Sequence, residues 1–215
     1  SYCTPVIELL EHPVHVVDDD ASFRRSLVFL LESVGWTAVA HDSAEAFLAA
    51  CPQQPADAGC LVLDIRMPMM SGLELQRLLV ERGWQLPVVF ITGHGDVELA
   101  VQAMKRGACD FLEKPFKDQA LLDAVGAAVR RASADQAQAC RREEALALLE
   151  RLSPREREVA RLVALGLPNK LVARELEISE KTVHVHRQHV MEKTATGSAA
   201  ELARLMLRAD PAALD

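Results

Sequence analysis

The sequence predicts a doubly wound α/β fold built on a five-stranded parallel sheet, followed by a smaller all-α unit of four helices. Three observations carry that prediction. Between residues 13 and 118, five short apolar runs alternate with amphipathic stretches, as expected of β-α units whose strands are covered on both faces. After Leu152 the strand-like runs cease and helix signals take over. Finally, 215 residues is long for one compact domain and comfortable for two.

Each element has its own signal. VHVVDDD (14–20) is an apolar strand ending in acids, and residues 22–34 place Phe23, Leu27, Leu30, Leu31 and Val34 on one side of a helix that Gly35 stops. WTAVA (36–40) is the second strand, and 43–50 is a helix capped by Ser43. GCLVLD (59–64) and PVVFIT (87–92) are the third and fourth strands, followed by helices over 72–82 and 96–106. ACDFLEK (108–114) is the fifth, and a helix starts near Asp118. Function in such sheets sits beyond the carboxyl ends of the strands. Residues 118–150 contain no Pro and one Gly (Gly126), enough for a helix of about 50 Å. Its polar, Ala-rich middle reads as an exposed connector, continuous or broken near 131–138, without the persistent apolar heptad of a coiled coil. SPRE (153–156) is a capping box with Pro at the first helical position. Helices then read as 154–164, 169–176, 180–193 and 198–208, with Ser179 as N-cap of the third. The expected domains are residues 12–125, a helical linker over 126–150, and residues 151–210.

Composition narrows the function classes. The chain is 50% hydrophobic and 26% charged, ordinary for globular protein, while aromatics at 4% leave Leu, Val and Ala to build the cores. No apolar run approaches the ~20 residues that span a bilayer, and SYCTPVIELLEHP lacks a signal-peptide pattern. No membrane partner is expected. The cysteines (Cys3, Cys51, Cys60, Cys109, Cys140) are odd in number and scattered, which speaks against a disulfide framework or zinc site and for a reducing cytoplasm. The net charge of −7 is unevenly spread. Residues 1–150 carry 13 Lys/Arg against 22 Asp/Glu, whereas residues 151–215 carry 11 against 9, so the two halves are expected to meet different partners.

Four strand ends converge on one chemistry. Asp18 and Asp19 end the first strand, Asp64 the third and Thr92 the fourth, while Lys114 follows the fifth. One strand-end Asp is most often a turn or cap residue; five such groups at one sheet edge are much harder to obtain by chance. Three carboxylates brought together repel unless a hard divalent cation, Mg²⁺ (or Mn²⁺), neutralises them. Asp64 is then a carboxylate nucleophile for a phosphoryl group, with the metal and Lys114 offsetting charge on the transferring oxygens. Thr92 offers a hydroxyl to a phosphoryl oxygen, and Phe111 on the fifth strand is placed to move inward with Thr92.

These segments, VDDD (17–20), LVLDIRMPMMSG (61–72), FITGHGD (90–96) and DFLEKPF (110–116), resemble the response-regulator receiver domain, a flavodoxin-like fold, and within it the FixJ branch. The resemblance covers roughly residues 13–125. It implies that Asp64 is the phosphoacceptor of a partner sensor histidine kinase, and that Asp18, Asp19, Asp64 and the backbone carbonyl of Arg66 hold Mg²⁺. It also implies that Thr92 and Phe111 are a switch pair and that Lys114 contacts the phosphoryl group. The rival class of haloacid-dehalogenase-like phosphatases needs a general acid two residues after the nucleophile; Arg66 stands there and cannot serve. A degenerate receiver that binds DNA without phosphorylation is the other alternative. We expect no enzyme in the ordinary sense beyond slow self-dephosphorylation.

Residues 152–208 (LSPREREV, GLPNKLVARELEIS, KTVHVHRQHVMEK) resemble the LuxR-type helix-turn-helix domain of FixJ and NarL relatives; the bland alternative is a helical dimerisation bundle. Val183, Val190 and Met191 should face the core. The resemblance implies that His184, Val185 and Gln188 read bases of double-stranded DNA in the major groove. Lys181, Thr182, Arg187 and Lys193 would grip phosphates, with Asn169 and Lys170 also on the backbone. Thr194 stands where relatives usually carry Leu, which puts the order of 194–199 in question. His184, His186 and His189 raise the thought of a metal, but only 186 and 189 share a face and no acid completes a site in sequence. Phosphorylation is expected to promote a homodimer, and RNA polymerase is a further expected partner.

Overall fold

The computed structural model of the chain describes residues 10–56, 59–93 and 95–215. Cys3, and the histidine of FITGHGD (His94), lie outside these residues. The chain divides into two compact units at Ala134–Asp135, and each is described by itself.

In the first unit, β1 (Val14–Val17), β2 (Ala38–His41), β3 (Cys60–Asp64), β4 (Val88–Thr92) and β5 (Asp110–Glu113) form one sheet in the order β2-β1-β3-β4-β5, all neighbours parallel. Between them run α1 (Ala21–Ser33), α2 (Ala44–Ala50), α3 (Gly72–Glu81) and α4 (Val97–Lys105), and α5 (Asp118–Glu150) follows β5. The central strands β1, β3 and β4 are buried throughout, which explains why they read as continuous apolar runs rather than alternating ones. The sheet has a core on each face. Val14, Val16, Val62 and Ile91 pack with Leu31, Leu121 and Val125 on one side, and Leu61, Leu63 and Phe90 pack with Phe47, Leu75 and Leu79 on the other.

The strands are shorter than the sequence patterns. Strand β1 stops at Val17, because the chain after it turns into the cap of α1: Asp20 accepts hydrogen bonds from the backbone N–H groups of Ser22 and Phe23. In place of 36–40, β2 covers 38–41, because Trp36 belongs to the core of the turn and His41 extends the pairing to Val17.

α5 is one 33-residue helix with no break at 131–138. It packs on the sheet unit through Leu121, Ala124, Val125, Ala128 and Val129, so its contact with that core runs past residue 125. Most side chains from Arg130 to Glu144 are exposed.

The second unit contains the end of α5 with α6 (Pro154–Ala164), α7 (Asn169–Leu176), α8 (Glu180–Thr194) and α9 (Ala199–Ala209). Ser153 and Glu156 form the capping box of α6, and Ser179 and Ser198 cap α8 and α9. The core is Leu152, Val159, Val163, Val172, Val183, Val190 and Leu202. Ala145 near the end of α5 is buried against Leu205 and Ala209 of α9, and Arg142 Nε donates to the Ala209 carbonyl at 3.1 Å. Among the described residues no helix is long and apolar enough to cross a membrane, and Cys60 and Cys140 are free thiols.

Thr194 does not disorder the residues after it. Its side chain is 2% exposed, and its hydroxyl donates to the Val190 carbonyl at 2.6 Å, replacing the volume of a larger residue with a satisfied polar contact inside the helix. Ala195 then takes a left-handed cap conformation, and Thr196 donates to Met191 Sδ at 3.2 Å.

Candidate functional site

Asp18, Asp19 and Asp64 offer carboxylate oxygens that all lie within 4.8 Å of one another. The parallel order puts β1 beside β3, so acids just past the end of one strand meet the acid that ends the other. Asp18 and Asp64 are buried and Asp19 is exposed. Burial first, and the Asp18 carboxylate second, push the Asp64 carboxyl up to about 6, against the opposing pull of Lys114. Burial also raises Asp18, although the Asp20 backbone N–H donates to its Oδ1 at 2.8 Å.

The remaining oxygen, Asp18 Oδ2, is buried without a hydrogen bond; the Lys114 ammonium stands 3.5 Å away. A buried carboxylate oxygen without a donor, beside two further carboxylates, is the arrangement that a hard cation with oxygen preference satisfies. The donor set fits Mg²⁺.

Thr92 is 1% exposed, and its hydroxyl donates to the Leu112 carbonyl at 3.3 Å. It therefore has a hydrogen-bond partner on β5. Phe111, half-buried, packs with the cluster containing Phe90 and Ala103. The Lys114 backbone N–H donates to the Thr92 carbonyl at 2.8 Å, which sets the lysine at the end of the β4–β5 ladder, and the Lys114–Pro115 peptide is cis.

Several supports were not evident from the sequence. Arg66 Nε and Nη2 both donate to Asp96 Oδ1, at 2.8 and 2.6 Å, tying the loop after β3 to the start of α4. Asp96 occupies the N-cap of α4 yet makes no cap bond, because its carboxylate is turned to Arg66. The acid at a helix start was visible in TGHGD, but its partner thirty residues back was not. Glu45 accepts from the Met70 backbone N–H at 3.0 Å and braces the same loop. Gly72 is required: a Cβ there would collide with the Asp64 carbonyl oxygen.

In the second unit, α8 turns Val183 and Val190 inward and leaves Lys181, Thr182, His184, Val185 and Gln188 exposed. Lys170 is exposed at the start of α7. Two expected phosphate contacts are engaged elsewhere. Lys193 Nζ donates to both oxygens of Glu156, at 2.8 and 3.1 Å, and Arg187 Nη1 donates to Asn169 Oδ1 at 3.1 Å. Glu156 is 5% exposed, and hydrogen bonding from Lys193 holds its carboxyl below the usual carboxylate range. An acid does lie near His189, whose Nδ1 is 3.7 Å from Glu156 Oε1, but among the described residues only Asp18, Asp19 and Asp64 form a group that could hold a metal. The α6 capping box was legible; its second duty as counterion for α8 required the packing of α6 on α8.

Comparison with known proteins agrees with this geometry. Residues 14–126 match the response regulator receiver domain, and residues 150–206 match the luxR family of bacterial regulatory proteins. The transcriptional regulatory protein FixJ of Azorhizobium caulinodans is 49% identical over 94% of this chain and 95% of its own length. This chain belongs to the response-regulator family. It carries the receiver and the LuxR-type DNA-binding domain of a two-component transcription regulator. The response regulator is also 45% identical to FixJ of Rhizobium meliloti, over 93% of this chain and 97% of that one. Among solved structures it is similar to the response regulator StyR, with a TM-score of 0.78 and 44% identity over 91% of this chain and 98% of that one. Full-length FixJ from B. japonicum gives a TM-score of 0.61 and 44% identity over 93% of this chain and 97% of that one.

Proposed function

We propose that this regulator takes a phosphoryl group from a sensor histidine kinase onto Asp64, and that the modified protein dimerises and binds specific double-stranded DNA to control transcription. One observation carries the reading: three carboxylates, two of them buried, crowd within 4.8 Å of one another beside Lys114 at the carboxyl end of the sheet. Such a site is costly to fold without a ligand and well suited to one cation and one phosphoryl group.

Asp64 is the nucleophile: its carboxylate oxygen forms a bond to phosphorus while the donor's leaving group departs with the electron pair. Asp18, Asp19, Asp64 and the Arg66 carbonyl would hold Mg²⁺, which supplies positive charge against the transferring oxygens. Lys114 remains protonated and contributes a second positive charge from the β5 side. Arg66, tied to Asp96, supplies no general acid for a phosphatase cycle.

Once Asp64 carries the group, the Thr92 hydroxyl gives up the Leu112 carbonyl for a phosphoryl oxygen, and Phe111 on the neighbouring strand follows it inward. Val97, Val101 and Met104 already expose apolar surface on α4, the face we assign to the homodimer. A local charge change thus biases a two-state surface. In the second unit, α8 enters the major groove with His184, Val185 and Gln188 toward the bases. Lys181, Thr182 and Lys170 face phosphates, with Asn169 and Arg187 locked to each other behind them. RNA polymerase is the partner through which bound DNA is read out.

Gel-shift titration of native protein and Asp64→Ala, with and without a small phosphodonor and Mg²⁺, tests the scheme. Affinity should rise on phosphodonor treatment of the native protein only. A mutant that gains the same affinity ends the Asp64 assignment.

A further inference from the structure

Lys114 is held from two sides. Its ammonium lies 3.5 Å from Asp18 Oδ2 and 3.9 Å from the centroid of the Phe23 ring. Phe23 stands in the first turn of α1, whose start Asp20 pins by accepting the Ser22 and Phe23 backbone N–H groups at 2.9 and 3.1 Å. Phe116, two residues past Lys114, meets the Phe23 ring edge to face, at 6.1 Å between centroids and 79° between planes. With Leu27, Leu30 and Pro115, these residues line an open cavity of about 430 Å³. The ring is therefore fixed by its own helix and by Phe116, and it presents a face to a cation whose field reaches Asp18, Asp20 and Asp64.

A lysine on a flexible four-carbon stem is free to leave the site for solvent, and its side chain here is 32% exposed. Asp18 alone is a poor tether, because the oxygen that faces Lys114 is also a candidate cation ligand. The negative face of an aromatic ring attracts an ammonium without taking a proton or occupying a metal position.

We propose that Phe23 is a positioning residue for phosphoryl uptake, its ring face holding the Lys114 ammonium at the mouth of the acidic site before the phosphoryl group arrives. This rests on the assignment of Asp64 and Lys114 above. In the transfer itself the Asp64 oxygen–phosphorus bond forms, the donor's bond to phosphorus breaks and its electron pair leaves with the donor. Lys114 keeps its proton, and the ring is unchanged.

The test uses the full chain with Phe23 replaced by mono-, tri- and pentafluorophenylalanine, which keep nearly the same shape while draining the ring face of negative charge. The initial rate of Mg²⁺-dependent labelling by acetyl phosphate should fall stepwise, reaching about two- to fivefold below native. Phe23→Leu should lose as much, and Phe23→Trp should retain the native rate. The ε-methylene protons of Lys114 should resonate upfield in native protein, under the ring current, and return to the position of exposed lysines in Phe23→Leu. A rate indifferent to fluorination, a rate that rises with it, or an unshifted Lys114 resonance in native protein overturns the proposal. Two controls separate it from its foundation: failure of native protein to label, or Lys114→Met labelling at the native rate, condemns the site assignment itself. A slow Lys114→Met beside a flat fluorine series condemns only Phe23.

Discussion

Two buried carboxylates in this chain have opposite fates. Asp64, 8% exposed, has its carboxyl pushed up to about 6 by burial and by the neighbouring Asp18. Glu156, 5% exposed, is held below the usual carboxylate range by hydrogen bonding from Lys193. Burial raises both carboxyls; at Asp64 it is reinforced by the Asp18 carboxylate and outweighs Lys114, whereas at Glu156 hydrogen bonding from Lys193 outweighs it. Around Asp64 like charges gather and an oxygen of Asp18 is left without a hydrogen bond; at Glu156 a cation sits directly on the buried acid. The first arrangement stores unfavourable energy that a ligand relieves, and the second spends its charges on holding helices together.

The sharpest way to break this contrast is on the Glu156 side. Glu156→Ala removes the partner of Lys193 and half of the α6 capping box, and should destabilise the second unit by about 2–3 kcal/mol. Denaturant melts followed by a probe in that unit measure it; a loss under ~0.5 kcal/mol would mean the ion pair is ornamental.

Asp64→Asn should act in the opposite direction. A carboxyl raised in the folded state contributes most stability below its ordinary range and loses it as pH rises through about 6. In metal-free buffer at pH 7.5 the Asn variant should therefore be more stable by about 1–2 kcal/mol, a few degrees in Tm. The advantage should vanish near pH 4. A variant that melts lower at pH 7.5 would show that the cluster is not under strain.

Mg²⁺ should close the gap. At about tenfold excess over its dissociation constant, a cation bound only to the folded state adds about 1.4 kcal/mol. Native protein should gain this and Asp18→Asn should gain much less, as read by calorimetry with and without the ion.

The smallest effect separates two lysines on one helix. Lys181→Ala should lower the salt slope of DNA binding by about 0.9, as one lost phosphate contact requires. Lys193→Ala should leave the slope nearly unchanged, because Glu156 already neutralises that ammonium. Equal slopes for the two variants would restore Lys193 to the DNA surface.

The acidic site was legible in the sequence because its chemistry sits at strand ends, and parallel order brings strand ends to one edge whatever the details of packing. Asp18, Asp19, Asp64, Thr92 and Lys114 needed only the alternation of elements to be placed. The clip between Arg66 and Asp96, the ring of Phe23 under Lys114 and the pairing of Lys193 with Glu156 were not legible. Each joins residues from different loops or helices, and each depends on where a side chain points after packing. The same holds for His15 and His41, which meet at 3.0 Å in the core where β1 pairs with β2; nothing in the periodicity of either strand marks them as a pair. On α8 the inward face was readable from valines spaced seven apart, while the occupation of Arg187 by Asn169 was not. The hydroxyl of Thr194, judged by size, looked like a defect, and it is a satisfied contact because the helix supplies the Val190 carbonyl one turn back.

The central claim is that crowding of like charge makes Asp64 the acceptor. Incubation of native protein with acetyl phosphate, with and without Mg²⁺, followed by peptide mapping of the acid-stable, base-labile adduct by mass spectrometry, tests it most directly. The account predicts one phosphoryl group on Asp64, formed only with the divalent cation and absent from Asp64→Asn. A phosphoryl group on another residue, or equal labelling without the cation, would contradict it.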